Sequence, residues 1–426
     1  MSQSSEMRPG QFSSQMAGAT GMKTMILMTV MSTLSLVVFG VFGSSEGVAF
    51  RWSRPTDAFL LNDWVIESRV LGIAAGVLGF AIAGLAWRFM SQRNKMPLAW
   101  SVAFGFIWLV AFLGWVGAGG IVPITFLMAG SLVFAVPIML GGMSGILSER
   151  VGVVNIAIEG QLLVGAFVSA VVASLTGNYL LAVILAMVMS ALLSMVLAVF
   201  SIKYLVDQII VGVVLNVLVI GVTDFLFSQW LNDNPSEVNQ PGTLPFLPIP
   251  GLSSIPILGP VLFNHRLTVY LVFLLVPLIW FLIFRTRAGL RLRSVGEYPI
   301  AADTVGINVA MTRFFYVTLG GAIAGLGGAA ISVGNVGPFV KEMSAGFGFI
   351  ALATVILGRW QPFTVAAAAL LFGFASVFRI WAGDTGTGIP SDFITMIPYL
   401  VTIIAVAGFV GRVRPPAASG KAYIKE

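Results

Sequence analysis

Few residues of this chain are of types that could do chemistry, and most of them fall in two places. One is Gly141–Gly165, GGMSGILSERVGVVNIAIEGQLLVG, where Asn155, Glu159 and Gln161 interrupt an apolar run. The other is 285–315, RTRAGLRLRSVGEYPIAADTVGINVAMTRFF, which carries Arg285, Arg287, Arg291, Arg293 and Arg313 together with Glu297 and Asp303. Amides and a carboxylate inside an apolar stretch suit hydrogen bonding, either to a polar solute or to backbone freed by a broken helix. A run of arginines between apolar stretches suits a cytosolic loop, either a docking element for a partner protein or a positive-inside connection without one. Neither place holds residues arranged to make or break bonds. There is no GxxxxGK[ST], no HExxH and no GxSxG. The chain has no Cys and one His, His265, which excludes thiolate metal sites and Cys nucleophiles and leaves no His cluster for a metal or a proton relay. We therefore expect no catalytic residue, no metal and no cofactor on this chain. If it moves a solute uphill, the energy comes from an ion gradient or from a separate ATPase.

The elements that must hold these residues are apolar. Of 426 residues 58% are hydrophobic and 9% charged, and the mean hydropathy is +0.98. Soluble domains carry about 25% charged residues. So small a polar fraction cannot cover a water-soluble body, and an integral helical membrane protein is the class that fits. The net charge of +6 is not a nucleic-acid signature, because the cations sit at the ends of apolar stretches rather than on one face.

Read in order, residues 1–21 form a polar, flexible tail. Apolar stretches then lie at 22–43, 70–89, 98–118, 121–147, 154–176, 179–202, 205–227, 267–284, 313–333, 343–358, 361–381 and 394–411. This predicts an all-α polytopic bundle of about twelve transmembrane helices, each long enough for a hydrocarbon core of ~30 Å. The first stretch is long for a signal peptide and lacks a small-x-small cleavage site, so it is taken as a span. The longest internal connection, Ser228–Arg266, contains seven prolines and is expected outside the lipid. With the N-terminus inside, 17 of the 23 Lys and Arg fall on the inner side. Cations concentrate on the cytosolic side of a bilayer, which predicts that both termini and the 285–313 loop are cytosolic.

Within this frame three segments have a plain and a sharp reading. Gly141–Gly165 is either a turn followed by an ordinary span, or a broken helix lining a cavity, with Asn155 and Glu159 four residues apart on one helical face. Tyr298–Val305 reads as a short surface helix, with Pro299 in its first turn and Gly306 ending it. The loop around it is either a partnerless positive-inside connection or a docking element. Gly320–Gly337, GGAIAGLGGAAISVGNVG, either lets helices pack closely or lines a solute path. Glu159, Asp207 and Asp224 are the carboxylates nearest to apolar stretches. An ion-coupled carrier would carry more of them deep in several spans, so their scarcity favours an ATP-driven partner.

Together these segments resemble the permeases of bacterial ABC importers, in the branch that serves ribose-type sugars, branched-chain amino acids and nucleosides. SERVGVVNIAIEGQLLVGAF (148–167) is similar to the signature of that branch's nucleoside permeases, with Gln161 where Met is usual. RTRAGLRLRSVGEYPIAADTVGINV (285–309) resembles the family's cytosolic loop, with Tyr298 where Asn is usual. GGAIAGLGGA (320–329) and FGFIALATVILGRWQP (347–362) match the spans that follow. The resemblance covers about residues 120–412 and divides the chain into additional spans at 22–118, a permease domain at 119–412 and a cytosolic tail at 413–426.

What the resemblance implies is an import permease without its own ATPase. It would pair with a second permease subunit, identical or not, above a cytosolic ABC ATPase that uses ATP and Mg. An extracytoplasmic substrate-binding lipoprotein would deliver nucleosides or related sugars. Glu297, Tyr298, Pro299, Ala301, Ala302, Asp303 and Gly306 would form the helix that couples to the ATPase, in a bacterial cell membrane. A neutral polyhydroxylated solute suits a pathway of amides rather than ion pairs, and Asn155, Glu159, Gln161, Asn216 and Asn335 are its candidates. A branched-chain amino acid permease and a self-sufficient ion-coupled carrier are the alternatives. An intramembrane enzyme lacks paired Asp or a Ser-His pair.

Overall fold

The computed structural model describes residues 22–384 apart from 23, 56, 58 and 93–95, together with residues 396 and 414–425. The expected N-terminal tail at 1–21 and the expected span at 394–411 lie outside the described residues. The fold is an all-α polytopic membrane architecture with little strand. Ten helices among the described residues are long and apolar enough to cross a bilayer. The chain divides into two compact units, Met1–Thr125 with Trp381–Ile389, and Phe126–Ile380 with Pro390–Glu426.

The first unit contains α1 (Thr24–Val41), α2 (Ser68–Ser91) and α3 (Leu98–Val116). A stripe of glycines on α2 sets its approach to α1. A Cβ on Gly72 would lie 2.3 Å from the Phe39 carbonyl carbon, and one on Gly76 2.7 Å from the Leu36 Cβ. Small residues at this spacing bring helix backbones into contact where lipid offers no hydrophobic drive for association. Phe39 then stacks on Trp115 at 5.1 Å and tilts against Trp108 at 5.6 Å. A three-stranded sheet forms from the connection at 44–69 and from residues 121–123, which were expected to begin the span at 121–147 and are strand instead. β1 (Gly47–Arg51) pairs antiparallel with β2 (Trp64–Glu67) and parallel with β3 (Ile121–Pro123), burying Val48 and Val122.

The second unit holds α4 (Ile124–Glu149), α5 (Ile158–Thr176), α6 (Tyr179–Ala198) and α7 (Gln208–Leu226). The Pro-rich connection follows, folded around α8 (Pro235–Val238) and a ribbon of β4 (Phe246–Pro248) and β5 (Asn264–Arg266). Next come α9 (Leu267–Arg285), α10 (Arg287–Glu297), α11 (Pro299–Thr304) and α12 (Val309–Ile331). The last helices are α13 (Phe347–Leu357) and α14 (Pro362–Asp384).

The core of this unit is α5 and α12, with α6 against both. Glycines make it possible. A Cβ on Gly165 would meet the Gly325 carbonyl oxygen at 2.4 Å, and one on Gly328 the Leu162 carbonyl oxygen at 2.1 Å. On the other side of α12, a Cβ on Gly321 would lie 2.3 Å from the Ser194 Cβ of α6. Gly320–Gly337 therefore begins as a packing stripe.

Two expectations need correcting. The continuous span expected at 343–358 is not a membrane-length helix. Its helical part, α13, has 11 residues. At 1.5 Å per residue that reaches about 16 Å, half of a ~30 Å hydrocarbon core. The preceding chain, 338–346, is non-helical. Secondly, Asn155 and Glu159 do not share a helical face, because α5 starts only at Ile158 and Asn155 lies in the turn before it.

Candidate functional site: a broken helix and a capped surface helix

Chain that enters a membrane protein without helix or sheet must have its backbone groups satisfied by protein. Residues 338–348 meet this condition with two side chains. The amide of Asn239 clamps Phe339 on both sides. Its Oδ1 accepts the Phe339 N–H at 2.7 Å and its Nδ2 donates to the Phe339 carbonyl at 2.9 Å. The Phe339 ring is fully buried, edge-on to Phe167 of α5 at 5.1 Å. Nearer α13, Glu159 takes over. Its Oε1 accepts from Ser344 Oγ at 2.6 Å and from the Gly346 N–H at 2.9 Å, and its Oε2 accepts the Gly348 N–H at 2.6 Å. Glu159 stands in the first turn of α5 and binds the first turn of α13. One carboxylate thus sits where the positive ends of two helix dipoles meet. The bend that aims these N–H groups is strained: Glu342, Ala345 and Gly346 have φ of 52°, 46° and 82°. Only the glycine takes such a φ at no steric cost.

The start of α5 is held by a second set of bonds. Asn155 and Gln161 exchange side-chain hydrogen bonds at 3.1 and 3.2 Å, and Asn155 also donates to Ser144 Oγ at 3.3 Å. Asn216 of α7 accepts the Gly160 N–H at 2.8 Å and donates to the Ile156 carbonyl at 2.9 Å. Gln208 accepts the Val154 N–H at 2.7 Å. The chain before α5 dips into the bundle, and these amides satisfy its backbone. The structure therefore brings four of the five candidate pathway residues, Asn155, Glu159, Gln161 and Asn216, into one buried lattice around the α5 N-terminus. Each of them has a protein partner.

Asn335 lies apart, in a small cavity of ≈ 100 Å³ shared with Phe246, His265, Arg266, Thr268 and Gly334. Arg266 donates to the carbonyls of Gly334 and Asn335 at 2.9 and 3.0 Å and covers the Phe246 ring at 5.0 Å. Burial lowers the Arg266 pKa from its ordinary value.

At the arginine-rich end, α10 and α11 make a rigid bracket. Thr286 caps α10 by accepting the Gly289 N–H at 3.0 Å. Pro299 opens α11, and Gly306 follows it at φ 84°. Ala302 is buried beneath α11, whereas Tyr298, Ile300 and Val305 are exposed, Val305 at 75%. The bracket is strapped from below by residues 414–425. Glu297 accepts the Ala417 N–H at 3.3 Å, Gly296 the Ala418 N–H at 2.9 Å, and Gly152 the Gly420 N–H at 3.1 Å. Arg313, 2% exposed, donates to the Lys421 carbonyl at 3.0 Å, and Lys425 pairs with Asp303 at 3.4 Å.

Sequence reading named Glu159 as a candidate and placed the ends of α11, and it did not name Asn239, Ser344, Gly346 or Gly348. The signal for the last three was present: SAGFG places two glycines and a serine at the head of an apolar stretch, where a helix breaks.

Residues 127–406 match the family described as branched-chain amino acid transport system / permease component. The chain is 38% identical over 311 residues to a guanosine ABC transporter permease protein of Bacillus subtilis, covering 71% of this chain and 97% of the relative. It is 36% identical over 308 residues to a nucleoside ABC transporter permease protein of Lactococcus lactis, covering 70% and 96%. A putative glucose ABC transporter permease protein of Haloferax volcanii is 35% identical over 248 residues, covering 58% and 74%. No solved structure matches the chain.

Proposed function

We propose, from the premise that this chain belongs to the family of permease components of branched-chain amino acid transport systems, that it is the membrane-spanning subunit of an ATP-driven importer. Its solutes are nucleosides or related sugars. The two relatives that the chain spans almost completely are described as guanosine and nucleoside permeases, and a glucose permease follows them.

The observation that carries the ATP-driven part is α11. It is a capped six-residue helix with exposed Tyr298, Ile300 and Val305 on a buried base, tied through α10 to α9 and directly to α12, both of membrane length. An apolar tip on a rigid bracket suits a groove in a partner protein. In this reading Glu297, Tyr298, Pro299, Ala301, Ala302, Asp303 and Gly306 form the coupling element. ATP and Mg are used by a separate cytosolic ATPase that docks there. A second permease subunit and an extracytoplasmic binding lipoprotein complete the importer. The arginine-rich end, both termini and the 285–313 loop face the cytosol of a bacterial cell, as the distribution of Lys and Arg suggests.

Closure of the ATPase would push α11 and rock α9 and α12 between outward- and inward-open states. Asn155, Glu159, Gln161 and Asn216 serve the pathway by holding its non-helical walls, and Asn335 by lining the outer cavity. Residues 119–412 are the permease domain, and 22–118 are additional spans.

The test is uptake by the assembled complex. The chain is co-expressed with the partners that co-purify with it and reconstituted in liposomes. We expect ATP-dependent accumulation of guanosine, competed by other nucleosides and not by leucine. Competition by leucine alone would move the assignment to branched-chain amino acids. Uptake by the lone chain under a proton or sodium gradient would overturn the importer reading.

A further inference from the structure

A groove of about 440 Å³ opens at the arginine-rich end of the second unit, lined by Arg150, Trp280, Phe284, Arg285, Arg359 and Gln361. Its chemistry is one-sided. Arg285 covers the Trp280 ring at 5.4 Å, and Arg150 and Arg293 cover Phe284 at 5.4 and 5.5 Å. Among the described residues, none of Arg150, Arg285, Arg293 and Arg359 has a carboxylate within ion-pair distance. Burial lowers the Arg150 pKa from its ordinary value, Glu297 acts against that fall, and Arg293 adds to it. A guanidinium stays protonated in proteins, so the groove carries several positive charges and little to offset them.

The backbone is bent to hold this arrangement. Arg359 and Trp360 both have left-handed φ, 54° and 55°. Two such residues in succession cost energy that the surroundings must offset. The bend sends Trp360 inward, where its indole donates to Glu149 at 2.5 Å and its carbonyl accepts from Arg150 at 3.0 and 3.2 Å. Arg359 is left exposed at the groove.

An apolar strip continues from the groove. Trp280 of α9 meets Phe363 of α14 at 5.7 Å. Phe273 stands two turns before Trp280 on α9, Leu370 two turns after Phe363 on α14, and both are exposed along these membrane-length helices. Cations and an aromatic ring at the headgroup level, above a lipid-length apolar surface, match an amphiphile with an anionic head.

We propose that this groove binds the phosphate headgroup of an anionic phospholipid, with the acyl chains lying along α9 and α14. Arginine suits the ligand, because its planar fork can donate two parallel bonds to one phosphate. A free phosphate ion would use the cations and leave the apolar strip bare. An acidic protein surface would do the same. The proposal rests on the membrane-spanning fold and does not depend on what the protein transports.

The experiment is native mass spectrometry of the full chain, delipidated in detergent and given equal amounts of phosphatidylglycerol and phosphatidylcholine. Retention of phosphatidylglycerol over phosphatidylcholine supports the site. Arg285→Gln with Arg359→Gln should cut that preference by about thirtyfold, as expected for two arginines near a charged headgroup. The same charge loss at Arg287→Gln with Arg291→Gln, on α10 and outside the groove, should leave it unchanged. Equal retention of both lipids, or equal loss in both double variants, overturns the proposal. So does full displacement of the lipid by millimolar inorganic phosphate, which would make the ligand free phosphate. Intact lipid preference in the groove variant, with loss of a co-purifying soluble protein, also overturns it in favour of protein docking. The competition on unsubstituted protein needs no variant to fold, and uptake assays read the transport function separately.

Discussion

The carboxylate of Glu159 accepts the backbone N–H of Gly348 at 2.6 Å across 189 residues of sequence, joining the first turn of α5 to the first turn of α13. The two backbones touch there: a Cβ on Gly348 would lie 2.4 Å from the Glu159 nitrogen. Removing the carboxylate leaves two N–H groups and the Ser344 hydroxyl unsatisfied in a buried place. Each orphaned group costs about 1–3 kcal/mol. Glu159→Ala should destabilise the protein by about 3–5 kcal/mol. Glu159→Gln, which keeps one acceptor oxygen, should lose less, and Ser344→Ala only about 1 kcal/mol. Thermal unfolding in detergent reads this order. If Glu159→Ala melted with the unsubstituted protein, the carboxylate would not be holding α13.

The α5–α12 contact makes a sharper steric prediction. Gly328→Ala places a methyl 2.1 Å from the Leu162 carbonyl oxygen, and the contacting atom is backbone that cannot swing aside. Overpacking of this kind costs about 1–3 kcal/mol or more. Gly221→Ala, on α7 where an added Cβ meets no described residue within 4 Å, should be neutral or slightly stabilising. Expression level and melting temperature of the two variants should separate clearly. Equal behaviour would mean that α12 and α5 do not approach as described.

Much of this was legible in the sequence, for physical reasons that differ from element to element. Membrane-length helices announce themselves by uninterrupted apolar length, so α4 to α7, α9, α12 and α14 were all anticipated within a few residues. Pro299 and Gly306 fix the ends of α11 through one rigid φ and one positive φ, and both are local properties. The broken crossing at 338–357 was not legible as such. The apolarity of Phe347–Leu357 is the same for a full span and for a half-helix, and although the glycines of SAGFG mark the break, the carboxylate that satisfies the freed backbone there, Glu159, is far away in sequence. Asn239 was missed for the same reason: its partner Phe339 is 100 residues away. Asn155 and Glu159 were placed on one helical face because periodicity cannot see the turn that Ser144, Gln208 and Asn216 stabilise from other helices. The strands β1 and β2 lie between two spans and β3 at the head of an apolar stretch, and their pairing is decided by tertiary contact rather than by pattern.

At α11 the prediction separates folding from coupling. Tyr298, Ile300 and Val305 are exposed and contribute little to the fold. Val305→Asp should therefore leave expression and melting temperature unchanged, since exposed substitutions stay within about 0.5 kcal/mol. It should reduce ATP-dependent uptake at least tenfold, because a charge placed in an apolar docking contact is costly. Ala302→Asp, at the buried base, should instead destabilise the protein. Full uptake by the Val305 variant would remove α11 from the coupling role.

The last prediction concerns the strap. Arg313 is buried, and the Lys421 carbonyl accepts from its Nη1 at 3.0 Å. Deleting residues 415–426 takes away that acceptor, the Ala418–Gly296 and Gly420–Gly152 backbone bonds and the Lys425–Asp303 pair. These losses are unequal. The Lys425–Asp303 pair, exposed on the lysine side, contributes about 0–1 kcal/mol. A buried guanidinium that loses its carbonyl acceptor costs about 1.5–3 kcal/mol. The deletion should therefore lower the melting temperature far more than Lys425→Ala. Arg313→Met, which removes the buried charge along with its need for an acceptor, should recover part of the loss in the truncated background. Hydrogen exchange should rise along α10 and α11 in the truncated chain, since the Gly296 carbonyl and the Glu297 carboxylate lose the strap N–H groups that tie the bracket down. Unchanged exchange along α10 and α11, with an unchanged melting temperature, would show that the strap does not brace the α10–α11 bracket. A fall in melting temperature that Arg313→Met partly reverses would assign the strap's main energetic role to covering that one buried charge.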